Sequence, residues 1–329
     1  MIKVVAGDIG GTKTRLAIIS VAGPQVHIER EVSYPSRDFA SFEALLEGFL
    51  TGIEVPVHAA FGIAGPVQRG AVRTTNLPWY IEADVIRQRF AFKGCTLLND
   101  LEATAYGLPA LGVEDVLVLQ EGDPGAHGNT AVIAAGTGLG EAGMYWDGQR
   151  HLPYATEGGH TSFSPQNEVE MDLLRYLQKR HGHVSWERVV SGMGLVELHE
   201  FLRGYRKSAV PLWLDEEMRT GDPGAAISRA ASAGSDDICI ETMDRFVRLY
   251  GAEAGNLALK TMSRGGIYVG GGIAPKILPL LQRGAFIEAF LAKGRMRPVL
   301  EAMPVKVILN DRTALYGPAL HAASSASLS

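Results

Sequence analysis

Cysteine, long apolar runs and an excess of positive charge are all missing or scarce in this sequence. Only two cysteines occur in 329 residues, Cys95 and Cys239, both in apolar surroundings and without a CxxC pair or a Cys/His cluster. This usage argues against a disulfide framework and against a structural zinc site, so we expect reduced core thiols. No run of about 18 apolar residues is present to cross a membrane. The 31 basic and 36 acidic residues give a net charge of −5, which supplies no basic surface for nucleic acid.

The N-terminus also lacks the features of a secretory signal. Met1-Ile2-Lys3 leads into five apolar or small residues that end at Asp8, a stretch too short for a signal peptide, and no small-residue cleavage site follows. Hydrophobic residues at 46% and charged residues at 20% are typical of a globular chain. A length of 329 residues exceeds the usual size of one hydrophobic core. We therefore predict a soluble, cytoplasmic protein of two domains, with a cleft between them as the natural site.

Two segments share one design, in which an apolar strand, a turn of glycines and small residues, and a second apolar strand follow one another. The first is MIKVVAGDIGGTKTRLAIIS at residues 1–20, and the second is TAVIAAGTGLGEAGMYW at residues 130–146. Elsewhere apolar strands alternate with segments of helical periodicity. The alternation predicts an α/β fold with mixed sheets, and the repeated hairpin indicates two related domains.

The later segments set the expected domain boundaries. No linker rich in Pro, Gly or Ser separates two modules, so we place a hinge near residue 110. PVKVILND at residues 304–311 predicts a last strand, which a last helix follows. Because this strand and helix look like additions to a sheet, we expect a small domain of residues 1–110 plus 300–329. The large domain would then be residues 111–299.

The segment from Asp236 to Met262 has the periodicity of a long amphipathic helix. One helical face contains Ile240, Met243, Phe246, Val247 and Tyr250, and an apolar stripe of this kind faces a core. By contrast, we expect the acidic LDEEM at residues 214–218 and the basic cluster of Lys293, Arg295 and Arg297 to be solvated faces.

GDIGGTKTR, residues 7–15, has the composition of a phosphate-binding loop. Glycines let backbone N–H groups approach a phosphate, and Thr12 and Lys13 add donors. A Walker A loop is excluded, because that loop opens a helix whereas this turn leads into a strand. Asp8, at the end of the first strand, could hold Mg²⁺ through water. The alternative is an ordinary glycine hairpin with a capping Asp.

The second hairpin contains a formal GxGxxG from Gly138 to Gly143. A dinucleotide fingerprint must open a helix, whereas Met144-Tyr145-Trp146 continues as a strand, so a nicotinamide enzyme is disfavoured. What remains is Gly136-Thr137-Gly138, which we interpret as a second phosphate loop that faces the first across a cleft.

Asn99-Asp100 stands where a strand gives way to a helix, with Glu102 close behind. In the purely structural interpretation, Asn99 caps the helix, Glu102 reaches back to it and Asp100 complements the positive helix end. In the functional interpretation, Asp100 accepts the proton of a substrate hydroxyl. Both can hold, because capping fixes the orientation that a base needs.

EGGH, residues 157–160, joins a carboxylate to an imidazole through two glycines. Carboxylates accept charge-assisted hydrogen bonds from sugar hydroxyls, so Glu157 and His160 are candidate ligands of a polyol. The alternative for His160 is a loop histidine without a ligand. Glu187, in SWERVV, lies in the first turn of a predicted helix, where a surface Glu that complements the helix dipole is the alternative.

Five motifs follow one another in order: GDIGGTKTR, LLNDLEA, AAGTGLGEAG, EGGH and YVGGGIAPKI. In this order they resemble the bacterial ATP-dependent glucokinases of the hexokinase-type, actin-like ATPase superfamily, from Gly7 to the final helix. The resemblance implies a two-domain α/β fold of the actin-like, ribonuclease H-like kind, with mixed sheets and an interdomain cleft. It also implies a homodimer that transfers the γ-phosphoryl of ATP, with Mg²⁺, to the 6-hydroxyl of glucose in the first step of glycolysis.

The same resemblance implies a role for each motif residue. The ATP phosphates would contact Gly7, Asp8, Ile9, Gly10, Gly11 and Thr12 of the first hairpin and Gly136, Thr137 and Gly138 of the second, and Gly270, Gly271 and Gly272 would approach the adenosine. Asp100 matches the catalytic base. Asn99, Asp100, Glu157, His160 and Glu187 match residues that hydrogen-bond glucose.

The sequence departs from its relatives at two places. Relatives often carry Asn where Lys13 stands, so Lys13 receives no role. The repressor/kinase group carries a cysteine-rich zinc motif after the comparable loop, whereas Thr161-Ser162-Phe163-Ser164 follows His160 here, so no zinc is expected.

Two other functions stay open at this stage. A kinase for another hexose is one alternative, because the motifs specify polyol recognition better than one stereoisomer. A sugar-responsive regulator on the same fold is the other, although it would need a DNA-binding segment and the sequence begins at a strand. A chaperone-type ATPase would need a separate peptide-binding domain, for which no residues are left.

Overall fold

The computed structural model describes residues 1–74 and 77–326. Contacts divide the chain into two compact units. The first contains Met1–Asp115, Pro153–Ala155 and the residues from Asn310 onward, and the second contains Val116–Leu152 and Thr156–Leu309. In the described part of the chain, every helix is too short or too polar to cross a bilayer.

The elements are numbered in chain order. The strands are β1 Ile2–Ile9, β2 Lys13–Ala22, β3 Gln25–Pro35, β4 His58–Ile63, β5 Ala71–Arg73, β6 Tyr80–Glu82, β7 Gly94–Asn99, β8 Val116–Gln120, β9 Thr130–Ala135, β10 Leu139–Trp146, β11 His151–Thr156, β12 Gly266–Gly270 and β13 Val305–Ile308. The α-helices are α1 Phe42–Leu50, α2 Ala83–Arg89, α3 Asp100–Gly107, α4 Glu168–His181, α5 Gly192–Tyr205, α6 Leu212–Thr220, α7 Pro223–Ala233, α8 Asp237–Thr261, α9 Leu278–Leu281, α10 Ala285–Leu291, α11 Arg297–Glu301 and α12 Thr313–Ala326. Short 3₁₀ turns fill several of the connections.

The first unit is built on a five-stranded sheet of order β3-β2-β1-β4-β7. Alternation along β1 sends successive side chains to opposite faces. Val4 packs in one apolar cluster with Leu315 and Ala319 of α12, and Val5 packs in another with Phe42 of α1. Helices therefore cover both faces of the sheet. Polar residues that bind a ligand can then lie on the loops at the carboxyl ends of the strands.

The second unit is built on a six-stranded sheet of order β11-β10-β9-β12-β13-β8. The long helix α8 supplies much of its core, because Met243, Phe246 and Tyr250 are all at most 1% exposed. Strands β9, β12 and β13 run parallel, whereas β10 and β8 pair antiparallel with their neighbours.

Both sheets begin with the same topology. In the first, an antiparallel meander β1-β2-β3 is joined at β1 by the parallel strands β4 and β7, and in the second the meander β9-β10-β11 is joined at β9 by β12 and β13. The internal duplication predicted from the two hairpins is confirmed by this order. The predicted α/β fold class with mixed sheets is confirmed as well.

Two expectations about single elements were wrong. The last strand, β13, pairs with β12 and β8 in the second sheet, so only the last helix, α12, returns to the first unit. Apart from the short segment Pro153–Ala155, contacts place the boundaries of the two units between residues 115 and 116 and between residues 309 and 310, compared with the expected 110 and 300. Ile240 is 39% exposed, because it lies about 70° from the centre of the buried face of α8 and therefore at its margin.

Candidate active site

The turn of the first hairpin, between β1 and β2, is braced by the buried Ser36. The Ser36 hydroxyl donates to the Gly10 carbonyl at 2.7 Å, and the Ser36 N–H donates to the Thr12 carbonyl at 3.0 Å. In a trans peptide the N–H points opposite to the C=O, and the described residues contain no cis bond. The N–H of Gly11, in the same peptide as the Gly10 carbonyl, therefore points away from Ser36, as a phosphate-binding turn requires.

The other predicted residues of this loop lie inside β1. Gly7 is paired with Leu16 of β2 and with Phe61 of β4, and a Cβ at Gly7 would lie 2.7 Å from the Phe61 ring. Ile9 is 2% exposed and belongs to the core. Gly7 and Ile9 thus shape the strand that presents the turn.

Asp8 lies one residue before the end of β1 and pairs with Arg15 of β2. Arg15 Nη2 is 3.4 Å from Asp8 Oδ2, and Arg15 Nη1 is 2.9 Å from Asp311 Oδ2. Burial raises the pKa of the Asp8 carboxyl, and the guanidinium of Arg15 acts in the opposite direction. A further cation would favour the ionised form, so this carboxylate suits a divalent ion held through water.

Asn99 and Asp100 lie at the same edge of the sheet as the phosphate turn. Ile9 of β1 pairs with Ile63 of β4, which pairs with Asn99 of β7. Because neighbouring strands are about 4.8 Å apart, the end of β1 and the end of β7 are separated by about 10 Å. The register therefore brings the predicted base and the predicted phosphate turn to one carboxyl edge, where ligands bind in α/β sheets.

The capping interactions predicted at this strand end are present. Asn99 Oδ1 accepts from the N–H groups of Leu101 at 2.9 Å and Glu102 at 3.4 Å, and its Nδ2 donates to the Gly65 carbonyl at 3.2 Å. Glu102 accepts from the backbone of Asn99, which completes a capping box, while burial raises its pKa. Asp100 Oδ1 accepts from the N–H of Leu101 at 3.0 Å. These bonds fix the orientation of the Asp100 carboxylate.

The turn of the second hairpin, Gly136–Gly138, is braced by residues 187–192. The N–H of Gly136 donates to the Gly138 carbonyl, and the Gly136 carbonyl accepts from Gly192, both at 2.8 Å. Glu187 Oε2 accepts from the N–H of Leu139 at 3.0 Å, and a Cβ on Gly138 would overlap that carboxylate. Glu187 lies in the 3₁₀ turn Trp186–Arg188, so the expected helix is a single turn that ends before α5.

The EGGH loop presents Glu157 and His160 to solvent. Their side chains are 60% and 61% exposed, and His160 Nε2 lies 3.7 Å from Glu157 Oε2. The two glycines between them pack on β10, since a Cβ on Gly158 would overlap Glu141 Oε2 and one on Gly159 would overlap the Leu139 carbonyl. Glu157 and His160 are thus exposed side by side, as two side chains must be to reach one ligand.

The third glycine turn, Gly270–Gly272, lies beside the second phosphate loop. Gly270 ends β12 and pairs with Ala134 of β9, while Gly271 adopts a left-handed φ of 81° and has no space for a Cβ against Ala135. The buried hydroxyl of Tyr250 joins the two loops. It accepts from the Ala135 N–H at 3.1 Å and lies 3.1 Å from the Gly270 carbonyl.

Three residues of this region were not found from the sequence. Ser36 is 26 residues away in sequence from Gly10, to whose carbonyl it donates. Tyr250 is 115 residues away from Ala135, from whose N–H it accepts. Glu141, beneath the EGGH loop, was seen only as a spacer in a GxGxxG pattern. A charged residue in an otherwise apolar strand is the signal that could mark Glu141, whereas no local signal marks Ser36 or Tyr250.

Another cluster, in the second unit, contains residue types that bind metal ions, but an arginine side chain already lies against it. His199, Asp236 and Cys239 have potential ligand atoms within 4.8 Å of one another. Arg203 Nε donates to His199 Nε2 at 3.1 Å, and Arg203 Nη2 donates to Asp236 Oδ1 at 2.6 Å. A buried guanidinium in this position opposes a second cation.

Solved structures identify the class of protein that this fold represents. A glucokinase from an Antarctic psychrotroph matches with a TM-score of 0.86 and 32% sequence identity, over 98% of this chain and 99% of that chain. A ROK family glucokinase from Streptomyces griseus, solved in complex with glucose and AMPPNP, matches in fold with a TM-score of 0.66 and 23% identity, over 98% and 99% of the two chains. The fold and its two glycine-turn hairpins are those of an ATP-dependent sugar kinase.

Sequence comparison identifies the family. The family model described as Glucokinase matches residues 5–325. The glucokinase of Trichormus variabilis is 42% identical over 341 residues, which cover 98% of this chain and 99% of that relative. The chain belongs to the glucokinase family, and the resemblance inferred from the five motifs is confirmed.

Proposed function

We propose that this protein transfers the γ-phosphoryl group of ATP to the 6-hydroxyl of glucose, giving glucose 6-phosphate and ADP. Family membership supports the reaction and the substrates. The observation that carries the chemistry is the register that brings Asp8, the first glycine turn and Asp100 to one edge of the first sheet.

Asp100 is the proposed base. The 6-oxygen of glucose attacks the γ-phosphorus, the bond from that phosphorus to the ADP oxygen breaks, and the hydroxyl proton passes to the Asp100 carboxylate. Phosphoryl transfer has a loose transition state, so the main task of the base is to orient the hydroxyl. The hydrogen bond from the Leu101 N–H and the Asn99 cap hold Asp100 for that task.

The nucleotide would be held mainly by backbone N–H groups. We propose that Gly10, Gly11 and Thr12, which follow the strand shaped by Gly7 and Ile9, contact the phosphates together with Gly136–Gly138, and that Gly271 and Gly272 approach the adenosine. Asp8 would hold Mg²⁺ through water, and this ion would neutralise charge on the phosphates. No zinc is expected in the protein.

The sugar would be held by Asn99, Asp100, Glu157, His160 and Glu187. Glu157 and His160 are exposed side chains on a loop whose backbone is packed, so they can reach a hydroxyl without reorganising the loop. Glu187 would bind with Oε1, because its Oε2 already accepts from the Leu139 N–H. A site built on such hydrogen bonds rejects an analogue that lacks the hydroxyl by about 10⁴-fold.

The test is a coupled assay of purified protein with ATP, ADP or polyphosphate against a panel of hexoses. We expect ATP with glucose to give the highest kcat/KM. Asp100→Asn should lower kcat by about 10²- to 10⁴-fold with ATP affinity nearly unchanged, and Asp38→Asn, at an exposed Asp of the same unit, is the matched control. Preference for another hexose would reassign the substrate, and an Asp100→Asn enzyme with ordinary kcat would remove Asp100 from the mechanism.

We further propose a cytoplasmic homodimer. The homodimer follows from the family resemblance, and light scattering of the purified protein tests it. The cytoplasmic location is supported by the cysteines, because Cys95 and Cys239 are both unpaired, as in proteins of reducing compartments. Fractionation of cells that express the protein tests the location.

A further inference from the structure

Two buried carboxyl groups lie beneath the EGGH loop. Glu141 of β10 is 2% exposed and Glu253 of α8 is fully buried. They are close enough to hydrogen-bond to each other, which two carboxylates cannot do without a proton between them. The proposed reaction gives neither side chain a role, although Glu141 lies in the AAGTGLGEAG motif.

The surrounding donors are directed to Glu253. Asn256 Nδ2 donates to Glu253 Oε2 at 2.7 Å, and Lys260 Nζ donates to Glu253 Oε1 at 3.3 Å. Lys293 Nζ, which we expected to be solvated, donates to Asn256 Oδ1 at 2.7 Å and holds that amide in place. Burial raises the pKa of Glu253, but these donors favour its ionised form, so Glu253 is the member of the pair that keeps the charge.

Glu141 has the opposite surroundings. Its Oε1 is buried, and no donor of the described residues reaches it. Burial and the neighbouring Glu253 raise the pKa of Glu141 to about 8, against a lowering effect of Lys260. Tyr250 also faces Glu141, and burial raises the pKa of its phenol, so the phenol stays neutral. Glu141 is thus the member that carries the proton near neutral pH.

The side chain of Glu141 is in direct contact with the sugar-binding loop. Its Oε2 occupies the space where a Cβ of Gly158 would lie. The backbone carbonyl of Glu141 accepts from Thr156 Oγ1 at 2.9 Å, and Thr156 Oγ1 in turn accepts from the Gly158 N–H at 3.2 Å. A displacement of the Glu141 carboxyl group therefore acts first on Gly158, between Glu157 and His160.

We propose that Glu141 and Glu253 share one proton, and that this proton holds the loop Glu157–His160 in the geometry that binds the sugar. The inference rests on the proposed function of that loop. Loss of the proton places two carboxylates in contact in a buried site, and their repulsion moves Glu141 against Gly158. Glu141 and Glu253 are then positioning residues whose protonation sets glucose affinity.

The experiment measures KM for glucose, KM for ATP and kcat between about pH 6 and pH 9.5. In the wild-type enzyme, KM for glucose should rise above about pH 8, with a limiting slope of about tenfold per pH unit for one proton. KM for ATP and kcat should change by about twofold or less. Glu141→Gln, whose amide donates permanently to Glu253, should bind glucose well and give a flat profile. Glu121→Gln, at an exposed Glu of the same unit, should keep the wild-type profile.

Each outcome bears on one claim. A wild-type KM for glucose that is flat to about pH 9.5, or a rise that persists in Glu141→Gln, overturns the shared proton. If Glu141→Gln fails to fold, Lys260→Gln removes the cation that favours the ionised pair. The rise in KM for glucose should then move to higher pH, and an unmoved rise overturns the shared proton. Absence of glucose phosphorylation at every pH refutes the proposed function instead, and leaves no sugar affinity for the pair to control.

Discussion

Removal of a single buried hydroxyl should weaken ATP binding without any change of shape. Tyr250 is fully buried, and its hydroxyl accepts from the Ala135 N–H and lies within hydrogen-bond distance of the Gly270 and Ile133 carbonyls. Tyr250→Phe keeps the ring and its contact with Phe286. The substitution leaves the Ala135 N–H without its acceptor, because water cannot enter a site from which only one oxygen has been removed.

The magnitude follows from the cost of one unsatisfied buried donor, which is about 1–3 kcal/mol. The carbonyls lose less, since each retains a second lone pair and the Gly270 carbonyl is only one of two possible acceptors. We expect a loss of about 2 kcal/mol, which for a unit of this size lowers Tm by about 4–8 °C. Ala135 precedes Gly136 and its carbonyl accepts from Ile273 at 3.2 Å. Both proposed nucleotide loops should therefore loosen, and KM for ATP should rise severalfold.

Calorimetry and steady-state kinetics test this expectation together. KM for glucose should change little, because the hydrogen bonds of the Tyr250 hydroxyl go to the backbone of Ala135, Ile133 and Gly270 and not to the EGGH loop or Glu187. The control is Tyr145→Phe, whose ring is 55% exposed and whose hydroxyl can bond to water. A Tyr250→Phe enzyme with wild-type Tm and wild-type KM for ATP would refute the assignment of this hydroxyl as the link between the loops.

Three further substitutions have defined outcomes. Ser36→Ala should raise KM for ATP more than it lowers kcat, since the Gly10 carbonyl loses its donor, and Ser36→Thr should recover part of the affinity. Gly158→Ala should raise Kd for glucose strongly in titration calorimetry, because its Cβ overlaps Glu141. Arg203→Ala should lower the free energy of unfolding in urea by about 3–5 kcal/mol, because Asp236 is left buried and unpaired. Burial is the main cause that lowers the pKa of His199 to about 4, and because burial persists without Arg203, it opposes a replacement charge on that ring.

The fold and the local motifs were predictable from the sequence because their signals are local. The turn between β1 and β2, the Asn99 cap and the start of α4 after Asn167 each depend on residues within a few positions of one another. The last strand was misplaced for the opposite reason. A short apolar strand such as β13 carries no mark of which sheet will accept it, and its partners β12 and β8 are far apart in sequence.

The residues that hold the site in place were not predictable either, because they too act on partners far away in sequence. Ser36, Tyr250 and Lys293 are ordinary residues in the sequence, and their roles come from pairing across tens to more than a hundred positions. Lys293 was expected in solvent because it lies in a basic cluster. The structure instead uses its ammonium group to hold Asn256, which a charge pattern alone cannot reveal.

Each of the two glycine turns is held in place by hydrogen bonds from other residues. Glycine lets the backbone approach a phosphate, but a glycine turn has high conformational entropy, and ordering it on binding weakens affinity. In the first unit, Ser36 engages the carbonyls on both sides of Gly11. In the second, Gly192 and Glu187 hold the turn from one side, and Tyr250 fixes the strand that leads into it. Each turn is held by hydrogen bonds at its carbonyls or its flanking strands. Under the proposed function, this prior ordering lowers the entropic cost of binding ATP. Polar residues that touch no substrate would then set nucleotide affinity.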